Sequence, residues 1–265
     1  MIGLQRMPTL KNNKIMIQSL PINLSWGKAD THTLLPILFS LVLFEIYWFT
    51  AQSDKIKAFF YKKSEFDKAS VNHITFIKIF GFIIMGLFSV LLCLIFLPDY
   101  SLIDYGLTYN PETILFTFAW TFGLALLAFP LAYFSSRRQI TLVNYPQIQT
   151  RIWTKKIVLM NGLGWILYLL GYEFLFRGVL LFPLAQNLGV WKAIVINIAL
   201  CSATKISKGL DEAIGAIILS LVLCLLTLAS GTIWIAFLVH LTLAWTVSFS
   251  AVRHHPDMHY MISKK

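Results

Sequence analysis

The stretch IVLMNGLGWILYLLGYEFLFRGVLLF, residues 157–182, decides how the rest of the chain is read. A run of about 20 predominantly apolar residues is enough to cross the hydrocarbon core of a bilayer. Glu173 and Arg177 are its only formal charges. Spaced by four, they share one helical face, with the acid N-terminal to the base, the favourable order for such a pair. A charge at membrane depth costs ~2.5–3.5 kcal/mol on insertion scales, so such residues face the interior of a helix bundle and mark function.

Composition agrees with this reading. Apolar residues make up 57% of the chain and charged ones 13%, with a mean hydropathy of +0.71. A soluble domain is about one quarter charged, so the chain is expected to be a polytopic membrane protein. Seven spans are predicted: Thr33–Ala51, containing Glu45; Ile74–Leu97; Ile114–Phe134, with Pro130 near its end; Ile157–Phe182; Leu188–Thr204; Ala213–Ser230; and Ile233–Val252. Lys78 lies near the basic end of the second, where its long side chain can snorkel. The expected fold is an all-α transmembrane helix bundle. Residues 33–252 form the bundle, 1–32 a polar or interfacial segment, and 253–265 a cytoplasmic tail. No compact apolar core followed by a small-residue cleavage site stands in the first 32 residues, so a cleaved signal peptide is not expected.

The net charge of +10 invites a nucleic-acid partner, but the basic residues fall in alternate loops. Lys55, Lys57, Lys62, Lys63 and Lys68 follow the first span, and Arg137, Arg138, Arg151, Lys155 and Lys156 follow the third. Residues 98–112 between them hold no Lys or Arg. That alternation is the positive-inside pattern, which puts loops 52–73, 135–156 and 205–212 in the cytoplasm. The partner it implies is the lipid bilayer, not nucleic acid. The four basic residues of the N-terminal segment run against this topology, and residues 15–26 are an alternative interfacial or re-entrant piece. The two long loops are read as solvated or as carrying short amphipathic helices. Cys93, Cys201 and Cys224 sit in apolar runs without paired spacing and read as small core residues. Gly171 and Gly178, on nearly one face, would admit a close neighbour, with Gly215-Ala216 a candidate.

The motifs of the second half resemble those of the CPBP intramembrane proteases, which include the type II CAAX prenyl endopeptidases and the bacteriocin-immunity Abi proteins. That family reads Glu-Glu-x-x-Phe-Arg-Gly where this chain has Tyr172-Glu173-Phe174-Leu175-Phe176-Arg177-Gly178. Its second motif, Phe-x-x-x-His, falls on Cys201 to Lys205, and its third, His followed four residues later by Asn or Asp, on His240 and Ala244. Gly231-Thr232-Ile233-Trp234-Ile235-Ala236 is similar to the family's Gly-Ser-Leu-Trp-Ala-Pro approach to the last His. The likeness covers residues 157–250. It implies an intramembrane endopeptidase site in a multi-pass protein of a bacterial plasma membrane, with a peptide or membrane-protein substrate or partner.

Three motif positions are replaced. Tyr172 stands for the first Glu, Lys205 for the second-motif His, and Ala244 for the third-motif Asn; Glu173, Arg177 and His240 match. In the family the first Glu and the second-motif His are thought to activate water. Tyr, with a reference pKa of ~10, is a poor base, and a charged Lys offers donors but no acceptor. A divalent metal such as zinc would have Glu173 and His240 alone, short of the three protein ligands of a catalytic site, and is disfavoured. The expectation is therefore a diverged member whose peptidase chemistry is lost or altered. Its rivals are a binding or regulatory membrane protein that holds a peptide or partner helix, and a small transporter with Glu173 and His240 as a proton relay.

Each residue also has a structural reading. Glu173 and Arg177 serve as a locking pair, His240 as a core histidine with one partner, and Lys205 as the first residue of a loop. Tyr172 continues an aromatic stripe with Trp165, Tyr168 and Phe176. Glu45 is either paired inside the bundle or a functional acid.

Overall fold

Apolar segments that lack water to satisfy their backbone fold as helices in a bilayer, and all seven predicted segments do. The computed structural model describes residues 25–205 and 209–261, so most of the stretch 15–26 lies outside it. In chain order the elements are α1 (Lys28–Ala51), α2 (Asp54–Tyr61), α3 (Phe66–Gly81), α4 (Ser89–Phe96), α5 (Ile114–Ser135), α6 (Gln139–Asn144), α7 (Lys155–Glu173), α8 (Phe182–Leu188), α9 (Val190–Ala203), α10 (Leu210–Ser230) and α11 (Trp234–His254). A π-helical segment, Phe82–Phe88, joins α3 to α4, and another, Phe174–Leu181, joins α7 to α8. Each of these pairs therefore runs as one long helix.

Six of these helices are long and apolar enough to cross a membrane, and the protein is a multi-pass membrane protein. The fifth predicted span differs: α9 has 14 residues, about 21 Å at 1.5 Å per residue, and does not bridge a ~30 Å core by itself. The α7–α8 rod lies at the centre, with 78% of its apolar window buried against 11% for the window containing α5. The two long basic loops, read as solvated or as carrying short helices, carry α2 and α6. At the entry to α2 the Ile56 amide donates to Ser53 Oγ, and at the entry to α7 the Ile157 amide donates to Thr154 Oγ1, capping otherwise unpaired N-terminal groups. α10 ends at Gly231, whose φ of 68° suits a residue without Cβ.

Hydrogen bonds sort the connections between two ends. At one end Ser70 Oγ accepts from the Gln149 amide at 2.7 Å. Ser136 Oγ lies 3.3 Å from His254 Nδ1, and a short strand β1 (Ile152–Thr154) pairs in parallel with β2 (His259–Met261). Lys55, Lys57, Lys62, Lys63, Arg137, Arg138, Lys155 and Lys156 belong to this basic end. At the opposite end Ile233 N–H donates to Gly106 O, Thr113 Oγ1 to Ser230 O, and Trp234 Nε1 to Thr108 O. There Asp99 takes ion pairs from Lys28 at 3.0 Å and His32 at 3.1 Å.

Two expectations are corrected, and one of the two readings of Glu45 is closed. Lys78 does not snorkel; it is 3% exposed. α3 starts at Phe66, not Ile74, which places Lys78 about 18 Å along the helix, beyond the reach of its stem to the basic end. Gly171 meets not α10 but the turn after α3, where an added Cβ would lie 3.1 Å from Gly86 N and from Phe82 Cα; Gly215 faces nothing within 4 Å. Glu45 is exposed on the outer side of α1 rather than paired inside the bundle. The three cysteines are buried and free, as expected.

Candidate functional site

The site forms where α7 passes into its π-helical segment. All eight residues from Phe174 to Leu181 are buried. A π turn shifts hydrogen bonding from i→i+4 to i→i+5 and is frequent at functional sites. The expected aromatic stripe leads to it, with ring centroids 5.9 Å apart for Trp165–Tyr168, 6.0 Å for Tyr168–Tyr172 and 4.6 Å for Tyr172–Phe176.

Glu173 ends α7 with no exposed surface. One carboxylate oxygen, Oε1, is bonded to His240 Nδ1 of α11 through a very short contact. The other, Oε2, lies 3.3 Å from Arg177 Nη1 but is too poorly aligned to accept a hydrogen bond. The guanidinium turns its two Nη groups outward from α7: Nη2 donates to Ser220 Oγ of α10 at 3.0 Å and Nη1 to Cys201 Sγ of α9 at 3.4 Å, while Nε is buried without a partner. The predicted pair is therefore the hub of a contact set drawing on α7, α9, α10 and α11.

Asn197, which no motif flagged, completes the α9 side. Its amide donates to Phe176 O at 2.6 Å, satisfying a carbonyl in the π segment. Its Oδ1 receives Cys224 Sγ at 3.2 Å and Cys201 Sγ at 3.5 Å. The signal that would have found it is an asparagine inside an otherwise apolar helix.

The replaced positions also come together. Lys205 Nζ lies 5.4 Å from the Tyr172 ring centroid, and the Tyr172 ring meets the His240 ring edge-on at 5.9 Å. Thr204 Oγ1 donates to Cys201 O at 2.7 Å, which leaves the Tyr172 hydroxyl as donor in its 3.4 Å contact with Thr204 Oγ1. Tyr172, Arg177, Lys205, His240 and Ala244 all line a cavity of ≈1090 Å³. Asn144, Tyr145 and Gln147 of the basic-end loop also line it, so it reaches towards that end. Burial pushes the Tyr145 phenol up to about 12, with the Glu212 carboxylate adding to the effect and Lys205 opposing it, so this group is a neutral hydroxyl. Glu173 itself is not part of the cavity wall; His240 and Arg177, its two partners, are.

Residues 153–246 match the family model described as type II CAAX prenyl endopeptidase, Rce1-like. The match runs from β1 through most of α11 and contains the hub, so the second half of the chain resembles these endopeptidases. No curated protein and no solved structure matches the chain.

A zinc centre at the hub would have to draw on Glu173 and His240. Glu173 and His240 are bonded to each other, and among the described residues no three His, Cys, Asp or Glu side chains gather at one point. A catalytic zinc takes three protein ligands and an open position. The residues present do not fit one.

Proposed function

We propose that this protein is a diverged relative of the CAAX-type intramembrane endopeptidases that holds a peptide or a partner's membrane segment in its chamber without cleaving it. The observation that carries the reading is the position of Glu173. The one carboxylate retained from the first motif has no exposed surface and stands behind His240 and Arg177 rather than in the cavity wall. A general base must come within hydrogen-bond reach of the water it activates. The groups that do face the cavity at this level are Tyr172, whose hydroxyl donates to Thr204, Lys205, and His240, whose Nδ1 is bonded to Glu173. Tyr172 and Lys205 are not bases for water near neutral pH, and His240 stands without the Glu and His that the family is thought to use, since Tyr172 and Lys205 take their places. The cavity volume of ≈1090 Å³ is at the upper end of ligand pockets and suits an extended segment. The reading sets the basic end in the cytoplasm of a bacterial plasma membrane, supported by the concentration of Lys and Arg there.

The test uses full-length protein in nanodiscs. Farnesylated peptides with a C-terminal CAAX sequence are expected to give no cleavage product by mass spectrometry. A photo-crosslinking residue at Leu243, in the cavity wall, is expected to capture the same peptide, with unlabelled peptide competing. Turnover that disappears in both Glu173→Ala and His240→Ala would refute the reading and restore the endopeptidase. Absence of any competed crosslink would remove the chamber role.

A further inference from the structure

The cavity wall contains a buried amine that pairs with no carboxylate among the described residues. Lys78 is 3% exposed. Its Nζ donates to Asn161 Oδ1 at 2.8 Å and lies 4.1 Å from the Trp165 ring centroid. Asn161 is held in turn by its own donation to Ser248 Oγ at 3.0 Å. Room for the lysine stem comes from Gly164, where a Cβ would stand 2.8 Å from Lys78 Cδ. The placement is thus built from α3, α7 and α11 together. Among the described residues no carboxylate lies within ion-pair distance of Nζ. The acid among the lining residues is Glu212 on α10, and it makes no such pair.

An ammonium has three donors, and the described residues accept one. Beside it the Trp165 indole N–H, a donor only, is buried without a partner. Lys78 and Trp165 line the same cavity. An unpaired buried donor beside an amine with spare donors is expensive, and an anionic oxygen group would satisfy both. An apolar strip of the wall is also open: Leu127 and Leu131 of α5 and Ile218 of α10 line the cavity, with 65%, 71% and 63% of their surfaces uncovered.

We infer that Lys78 and Trp165 form a seat for the acidic head of a long-chain amphiphile whose chain lies along these apolar walls. The inference rests on the cavity being a binding chamber and names the chemistry of an occupant. A free fatty acid and a lipid phosphate share that chemistry.

The test is binding of the fluorescent long-chain acid cis-parinaric acid, and of its methyl ester, to full-length protein in detergent. The acid is expected to bind at least about tenfold more tightly than the ester, the least that one charge-assisted hydrogen bond supplies. Lys78→Met should bring the acid down to the ester's affinity while the ester binds as before, which shows that the variant is folded. Lys78→Arg should keep the preference. Competition separates the sources: stronger displacement by phosphatidic acid than by palmitate identifies a lipid phosphate, and the reverse a free acid. Equal binding of acid and ester by the unaltered protein, or a preference that survives Lys78→Met, overturns the seat and leaves the chamber standing. Binding of neither probe also overturns the seat, and the peptide crosslink at Leu243 then decides the chamber by itself.

Discussion

Removing Arg177 tests the hub most directly. Arg177→Met keeps most of the side-chain volume, so the cavity term is small, but it leaves the Glu173 carboxylate, which has no exposed surface, with His240 as its one remaining partner. At the observed 3.3 Å separation, an effective dielectric of about 20 gives roughly 5 kcal/mol of attraction. Breaking a buried pair from one side costs ~3–5 kcal/mol. Glu173→Gln strands the guanidinium in the same way, although Ser220 and Cys201 still accept from it, so its cost should fall at the lower edge of that range. In the double variant both sites are neutral and part of the loss returns. The expected coupling is about 2–3 kcal/mol, the upper part of what contacting residues show. Each variant is compared by reversible SDS-driven unfolding in mixed micelles, followed by circular dichroism. His240→Ala belongs in the same series, because it removes the partner of Glu173 Oε1 and leaves a buried charged acceptor unsatisfied, at a cost of at least ~1–3 kcal/mol. A Glu173–Arg177 coupling below ~0.5 kcal/mol would refute the argument. It would mean that the poorly aligned 3.3 Å contact carries no attraction and that His240 alone keeps the carboxylate in place.

Three further outcomes are expected. Gly171→Val should destabilise the protein by ~1–3 kcal/mol, since its Cβ would meet backbone of the Phe82–Phe88 turn at 3.1 Å and backbone cannot rotate aside; unchanged unfolding would mean that the two helices do not touch there. Single cysteines at Lys62 and Arg138 should resist a membrane-impermeant thiol reagent in intact cells and one at Glu112 should react, with little background from the buried native thiols; the opposite pattern would invert the topology. The Lys28 ammonium, which donates to Asp99, holds the Asp99 carboxyl below its usual value. A depressed folded-state pKa contributes stability that is complete above the unfolded value of ~3.9 and is lost as pH falls through the folded one. Amide exchange over residues 97–104 should therefore be flat from pH 8 to 5, after correction for intrinsic rates, and rise only below about pH 4; loosening already at pH 6 would show that the Asp99 tie is not what holds this loop.

What the sequence revealed and what it hid divide along one physical line. Hydropathy depends on composition within a window, so all seven helical segments were legible, and the shortness of the fifth was visible in Leu188–Thr204. The Glu173–Arg177 contact was legible because four residues is one helical turn. The Glu173–His240 contact, across 67 positions, has no local period to reveal it; only the motif resemblance set the two side by side. The π-helical segment at Phe174–Leu181 was invisible, because a shift in backbone hydrogen bonding leaves the hydrophobic pattern unbroken.

The two lone charges show most clearly what was missing. Lys78 and Glu45 look alike in sequence, each a single charge in an apolar span, yet one is 3% exposed and the other lies on the outer face. Glu45 is six residues from the end of α1 at Ala51, about 9 Å along the axis, near enough to keep its head at the interface. Lys78 is twelve residues from the start of α3 and has no such route. It faces inward because Gly164 on the facing helix lacks a side chain and Asn161, on the same helix, offers an oxygen. Both partners stand in the sequence as small or polar residues within the Ile157–Phe182 run. A charge deep in a span is thus read by two questions, how far the helix end is and whether a neighbouring span supplies both a gap and an acceptor. For Lys78 the answers lead inward, to a cavity where the acceptors among the described residues do not match the donors.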